Sequence, residues 1–174
     1  MKKVFILILI FFITGCSGNM KPTDFKDQKP RLIIEDYLSG NVKAWGILQN
    51  RSGEVTRQFS ASLNGKWDGK QLILDEKFNW SDGEVQTRQW KINKIDNHNY
   101  EGTAGDVVGT ARGFSYGPAF KFEYVLLVPI KGKEIKITFD DWIFKQDDRV
   151  AINRATMTKF GIKVAELTVM FVKN

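Results

Sequence analysis

Two carboxylates stand where apolar side chains are expected. In "LILDEKFNW", Glu76 shares its alternating set with Leu72, Leu74, Phe78 and Trp80; in "ITFDDWIF", Asp141 falls between Phe139 and Ile143. Two arginines are placed alike when their own sets face inward: Arg88 beside Trp90 and Ile92, and Arg154 beside Val150 and Ile152. An isolated buried charge is too costly to persist, whereas a hydrogen-bonded ion pair is tolerated. Arginine suits such a place because its planar fork meets a carboxylate on two hydrogen bonds.

Three kinds of chemistry are open to this group. The charges neutralise one another as a structural network. They orient the polar head of an amphipathic ligand, with Arg88 and Arg154 facing an anion and Glu76 and Asp141 holding the arginines. Or the carboxylates exchange protons as acid and base, which arginine partners disfavour by lowering their pKa values. A register slip of one residue would put all four charges in water.

Other chemistry finds less support. His98 is the only histidine and lies in the turn "DNHN"; without a second histidine or a free cysteine, a zinc site is not expected. No Gly-x-Ser-x-Gly elbow is present. The glycines of "YEGTAGDVVGTARGFSYGP" precede neither Gly-Lys-Ser/Thr nor a helix, so they read as bulges and bends of a sheet, with Asp106, Arg112 and Tyr116 at its mouth. The five tryptophans read as core and barrel-end residues. No cofactor and no metal is expected, and no catalytic residue is assigned.

The elements that must position these side chains are strands. From Asn41 onward, runs of period-two apolar residues alternate with turn signals such as "WDGK" and "SDGE". Nine strands are expected, at 42–50, 55–67, 70–80, 84–95, 99–104, 118–130, 134–145, 149–158 and 162–172. The inward faces are clear for 55–67, 70–80, 118–130 and 134–145, and ambiguous for 84–95 and 149–158. Closure removes exposed edges, so the fold class expected is all-β, an antiparallel up-and-down barrel of 8–9 strands over residues 41–174.

The N-terminus reads as an address. Lys2 and Lys3 precede the apolar run Val4–Ile13, about half the roughly 20 residues of a membrane span, so residues 1–15 form a secretory signal. Ile13-Thr14-Gly15-Cys16 resembles a bacterial lipobox, in which the cysteine is acylated and becomes the new N-terminus. Cys16 is the only cysteine, so no disulfide is available and the fold rests on its core. Loss of Lys2 and Lys3 lowers the formal charge from +6 to +4, a diffuse surplus that does not suggest a nucleic-acid partner. Residues 16–40 read as the lipidated Cys16 and a tether, with a helical turn in "RLIIEDYLSG" before Gly40. Ser17, where sorting signals of Gram-negative lipoproteins would carry aspartate to retain the inner membrane, points to the periplasmic face of the outer membrane.

Three stretches, "GKWDGKQLILDEKFNWSDGEVQTRQWKI", "YEGTAGDVVGTARG" and "FDDWIFKQDDRVAINRATMTKFGIKVAELTVMF", resemble an uncharacterised family of bacterial lipoproteins known as a domain of unknown function. The resemblance covers roughly residues 40–172 and implies an envelope protein with a lipocalin-like strand pattern and no assigned activity. Its members are encoded near lipid-modifying enzymes of the cyclopropane fatty acid type, which points to lipids. The family's "DDW" and "NR" fall on Asp140, Asp141, Trp142, Asn153 and Arg154, adding Asn153 to the polar set. Pro118 departs from the family pattern, which has Asn before the alanine.

The leading expectation is a membrane-anchored barrel that binds or presents a lipid, fatty-acyl or other amphipathic molecule through Glu76, Arg88, Asp141, Asn153 and Arg154. The alternative is a structural or assembly lipoprotein acting through its surface, its barrel filled by aromatic side chains. A lipid-modifying enzyme using Asp141 and Glu76 is the least supported.

Overall fold

The structure is a computed structural model that describes residues 20–130 and 132–174. The expected signal peptide and Cys16 lie outside the described residues. Ten strands follow in order: β1 Gly40–Asn50, β2 Val55–Trp67, β3 Gln71–Trp80, β4 Val85–Lys94, β5 Asn99–Thr103, β6 Ala111–Tyr116, β7 Ala119–Ile130, β8 Lys133–Lys145, β9 Val150–Lys159 and β10 Ile162–Lys173. Each pairs antiparallel with the next, and β1 pairs with β10, closing the barrel. The Asp-Gly turns act as expected: Asp68 Oδ1 accepts the backbone N–H groups of Lys70 and Gln71, and Gly69 takes φ +98°.

The count of 8–9 strands is corrected to ten. The strand missed is β6, hidden in the glycine-rich stretch. Gly102 on β5 and Gly113 on β6 are not bends: a Cβ on them would stand 2.5 Å from the Phe122 ring and 2.9 Å from the Phe120 ring. Glycine is needed there because aromatic rings from β7 lie across the inner wall.

The four clear inward faces are as expected, with Phe59, Leu63, Leu72, Leu74, Phe120, Phe122, Ile137 and Phe139 buried. On β4 the inward set carries Trp90 and Ile92. On β9 the set is the opposite of the one that would turn Arg154 inward. Ala151, Asn153 and Ala155 are buried while Ile152 is 41% exposed. A lumen crowded by aromatic rings takes alanine at close packing, and the bulkier Val150 and Ile152 go outside.

One end of the barrel is plugged. Leu32 and the short helix α1 (Ile34–Leu38) enter it, and Leu32, Ile34, Tyr37 and Leu38 are all buried. Tyr37 donates to the Arg149 carbonyl at 2.9 Å. Glu35, buried on α1, accepts from Lys94 Nζ at 2.5 Å and Tyr100 Oη at 2.8 Å. Gly65 on β2 admits the Leu38 carbonyl oxygen, which an added Cβ would meet at 2.0 Å.

The helical turn expected in "RLIIEDYLSG" is α1, and within the range expected as tether the chain already packs on the barrel from Pro22 onward. A 3-10 turn at Pro22–Phe25 lies against the outer wall. Its Phe25 packs on Trp142 and Phe144, ring centres 6.0 and 5.5 Å away. Trp142 points outward yet stays buried beneath it. Phe25 is a lone apolar residue in a polar, proline-bearing stretch, which is why that stretch reads as linker in sequence.

Candidate functional site

The lumen holds two adjoining chambers. The inner, about 100 Å³, lies above the plug and is lined by Ile34, Leu38, Leu74, Glu76, Asp141 and Asn153 among others. The outer, about 180 Å³, runs to the other end past Leu48, Leu126, Val128, Phe139 and Met157, with Arg57 and Glu84 at its rim. Phe59, Phe78, Arg88, Tyr124 and Leu167 line both and form the shelf between them. The chambers total nearly twice the ~150 Å³ of an apolar cavity known to hold benzene. The barrel is thus only partly filled by its aromatic side chains.

Strand pairing explains how the polar group assembles. Glu76 on β3 stands directly opposite Arg88 on β4. The Arg88 Nη1 lies 3.8 Å from Glu76 Oε2, an ion pair without a hydrogen bond. Arg88 turns its bonding edge to Asp106 in the β5–β6 loop: Nε is 3.0 Å from both carboxylate oxygens and Nη2 is 2.7 Å from Oδ2. Asp141 on β8 accepts from Tyr124 Oη at 2.9 Å and from Asn153 Nδ2, which also donates to the Trp142 carbonyl. Glu76 Oε2 is buried and has no hydrogen-bond partner among the described residues.

Of the five residues expected at the site, four meet in the lumen: Glu76, Arg88, Asp141 and Asn153. Arg154 does not. It lies on the outer wall, 66% exposed, with Nη2 2.7 Å from Glu166 Oε1. Two members were missed. Asp106 was expected at a mouth rather than on Arg88, and no pattern in its glycine-rich loop reveals the pairing. Tyr124 belongs to an apolar face by alternation, and its hydroxyl finds Asp141 only in three dimensions.

The carboxyls are not held low by arginine. Burial pushes Glu76 up to about 7, the Arg88 charge resisting and Asp141 and Asp106 adding to the rise. Burial likewise pushes Asp141 up to about 6 against the hydrogen bonds from Asn153 and Tyr124. Desolvation outweighs a guanidinium whose hydrogen bonds go to a third acid. Tyr124, buried beside Asp141, is held well above the usual phenol range and stays a donor. Among the described residues no group of three or more His, Cys, Asp or Glu side chains could hold a metal ion. None of the described helices is long and apolar enough to cross a membrane.

The fold has solved relatives in shape. The S-type phycobiliprotein lyase CPES from Guillardia theta superposes with a TM-score of 0.58 at 8% identity, over 80% of this chain and 90% of that one. A DUF3598-family protein of unknown function from Nostoc punctiforme gives 0.63 at 14% identity, over 84% of this chain and 51% of that one, so this chain spans about half its length. Apocrustacyanin C1 gives 0.37 at 12% identity, over 87% of this chain and 75% of that one. No curated protein matches the chain. Residues 10–173, all ten strands included, match the profile of the family described as "Protein of unknown function (DUF3833)", and the chain belongs to that family.

Proposed function

We propose that this protein is a lipid-anchored binding module that holds one small apolar or amphipathic molecule inside its barrel. The supporting observation is the pair of adjoining chambers: an outer one with mostly apolar walls reaching the rim, and an inner one that holds Glu76 and Asp141. Ligand pockets have this build, mostly apolar walls with a few polar groups that orient the guest. A structural lipoprotein with a solid core would not need a hollow with a hydrogen-bond acceptor left open in it.

The anchor in this reading is Cys16, acylated within Ile13-Thr14-Gly15-Cys16, and Ser17 favours the periplasmic face of the outer membrane. Several acyl chains on one residue hold far more firmly than the single chain that is marginal by itself.

The test is saturable binding of the neutral probe N-phenyl-1-naphthylamine to the full chain in an amphipathic polymer, followed by fluorescence. Leu167→Trp, which fills the shelf between the chambers, is the reference in the same polymer. One-to-one binding abolished by Leu167→Trp supports the reading. Equal signals from both proteins, across this and other apolar probes, would sink it. Metabolic labelling with palmitate, lost in Cys16→Ser, tests the anchor separately.

A further inference from the structure

The lumen was expected to face an anion with its arginines, and its geometry argues the reverse. Arg154 is outside the barrel. Arg88 gives its Nε hydrogen and one Nη2 hydrogen to Asp106, whose carboxylate pairs its charge from the loop side. Of the hydrogens that remain, those on Nη1 face Glu76 Oε2 at 3.8 Å. The acids that line the inner chamber, Glu76 and Asp141, therefore outnumber its one base, Arg88, which Asp106 pairs from the loop.

The two luminal carboxyls also differ in what they have left to offer. Asp141 is used on both oxygens, by Tyr124 and Asn153. Glu76 keeps a buried oxygen without a hydrogen bond, beside a chamber whose other walls include Leu63, Leu74 and Phe78. A buried acceptor left unmade costs free energy until a donor reaches it. A carboxylate or phosphate brought to this place would meet the like charge of Glu76 and Asp141 and a guanidinium whose charge Asp106 already pairs.

Resting on the reading of the barrel as a binding module, we propose that the luminal ligand is an amphiphile whose head donates hydrogen bonds, foremost a protonated amine, seated on Glu76 with its apolar part in the outer chamber. The head goes in first, because Glu76 lines the inner chamber and not the outer. The overall charge of the chain, +6, would favour anions at its surface, so selection for a cation can arise only where acids are concentrated.

Competition against bound N-phenyl-1-naphthylamine tests this, using octylamine, octanol and octanoate with the full chain in amphipathic polymer and Leu167→Trp as the background. Met157→Trp in the outer chamber serves as that background should Leu167→Trp not fold. At about pH 8 octylamine should displace the probe at a concentration about tenfold below octanoate, the scale of one hydrogen bond to a charged group, with octanol between them. Glu76→Gln should cut that preference to about threefold or less while octanol competes as before, an outcome a purely structural Glu76 would not give.

The preference for octylamine over octanol, neither of which changes charge in this range, should also weaken from about pH 8 to pH 5, as Glu76 takes up a proton near pH 7 with Arg88, Asp106, Asp141 and Tyr124 facing it. Octanoate binding as tightly as octylamine at pH 8, or a preference untouched in Glu76→Gln, overturns the proposal while leaving the binding module standing. Absence of saturable probe binding overturns both.

Discussion

Arg88 on β4 and Asp106 in the β5–β6 loop meet side on, joined by three N–H to oxygen contacts of 2.7 to 3.0 Å. They close a seam. β4 pairs with β5 only over Lys91–Lys94. Beyond that, the loop reaches β7 through Val108 N–H to the Val125 carbonyl and Leu127 N–H to the Asp106 carbonyl. The ion pair fastens the loop to β4 as these backbone bonds fasten it to β7.

Asp106→Asn should therefore loosen the wall itself. A partly buried pair broken on one side costs on the order of 1–3 kcal/mol, less than a fully buried one because Asp106 is partly exposed. Amide hydrogen exchange at Val108 and Leu127 should speed up by about tenfold. Unchanged protection at those two amides would show that the loop is held by its backbone bonds alone.

Glu76 gives the fold a pH dependence of known sign. Its carboxyl titrates near 7 in the folded chain against an ordinary 4.5, so the unfolded chain gives up its proton first. Stability should then fall as pH rises from about 4.5 to about 7 and level off above, with Asp141 adding the same slope between about 4 and 6. Glu76→Gln should flatten the upper part of the slope and raise stability at pH 8 by on the order of 2–3 kcal/mol. Urea unfolding of both proteins at pH 5 and pH 8 measures it; parallel slopes would place Glu76 in contact with water.

The plug depends on a missing side chain. Gly65→Ala puts a methyl 2.0 Å from the Leu38 oxygen, and backbone on both sides leaves little room to yield. A loss of about 1–3 kcal/mol is expected from this overpacking. Limited proteolysis should then cut between residues 26 and 40, where the wild-type plug resists; resistance retained by the variant would mean that α1 can shift along the lumen without leaving it.

Arg154→Ala is expected to do little. Its partner Glu166 also binds Lys163, and Arg154 itself is mostly in solvent. Exposed pairs contribute about 0–1 kcal/mol. Thermal unfolding and luminal probe binding should stay near wild type; a marked loss of binding would return Arg154 to the site.

Sequence and structure agree where period two meets a one-sided environment. Phe59, Leu72, Phe122 and Phe139 are legible because water lies on the other face of their strands. Asn153 and Arg154 show where this stops: on a strand with alanine on its inner face, hydrophobicity points the wrong way, and Ile152 is outside. The glycines opposite Phe120 and Phe122 fail for a related reason, since the partner ring that demands them is distant in sequence. Glu76 and Asp141 were legible as interruptions, but the choice of Asp106 by Arg88 depends on a loop path that no local pattern encodes.

The N-terminal segment reaches the barrel at the plugged end, where Phe25 covers Trp142 and Phe144. Were Cys16 fastened in a leaflet, only a handful of residues would separate that bilayer from the stoppered base. The rim with Arg57 and Trp80 would then look out into the aqueous space. On such an anchor the open rim would face away from the leaflet, and cargo would enter it from the aqueous side.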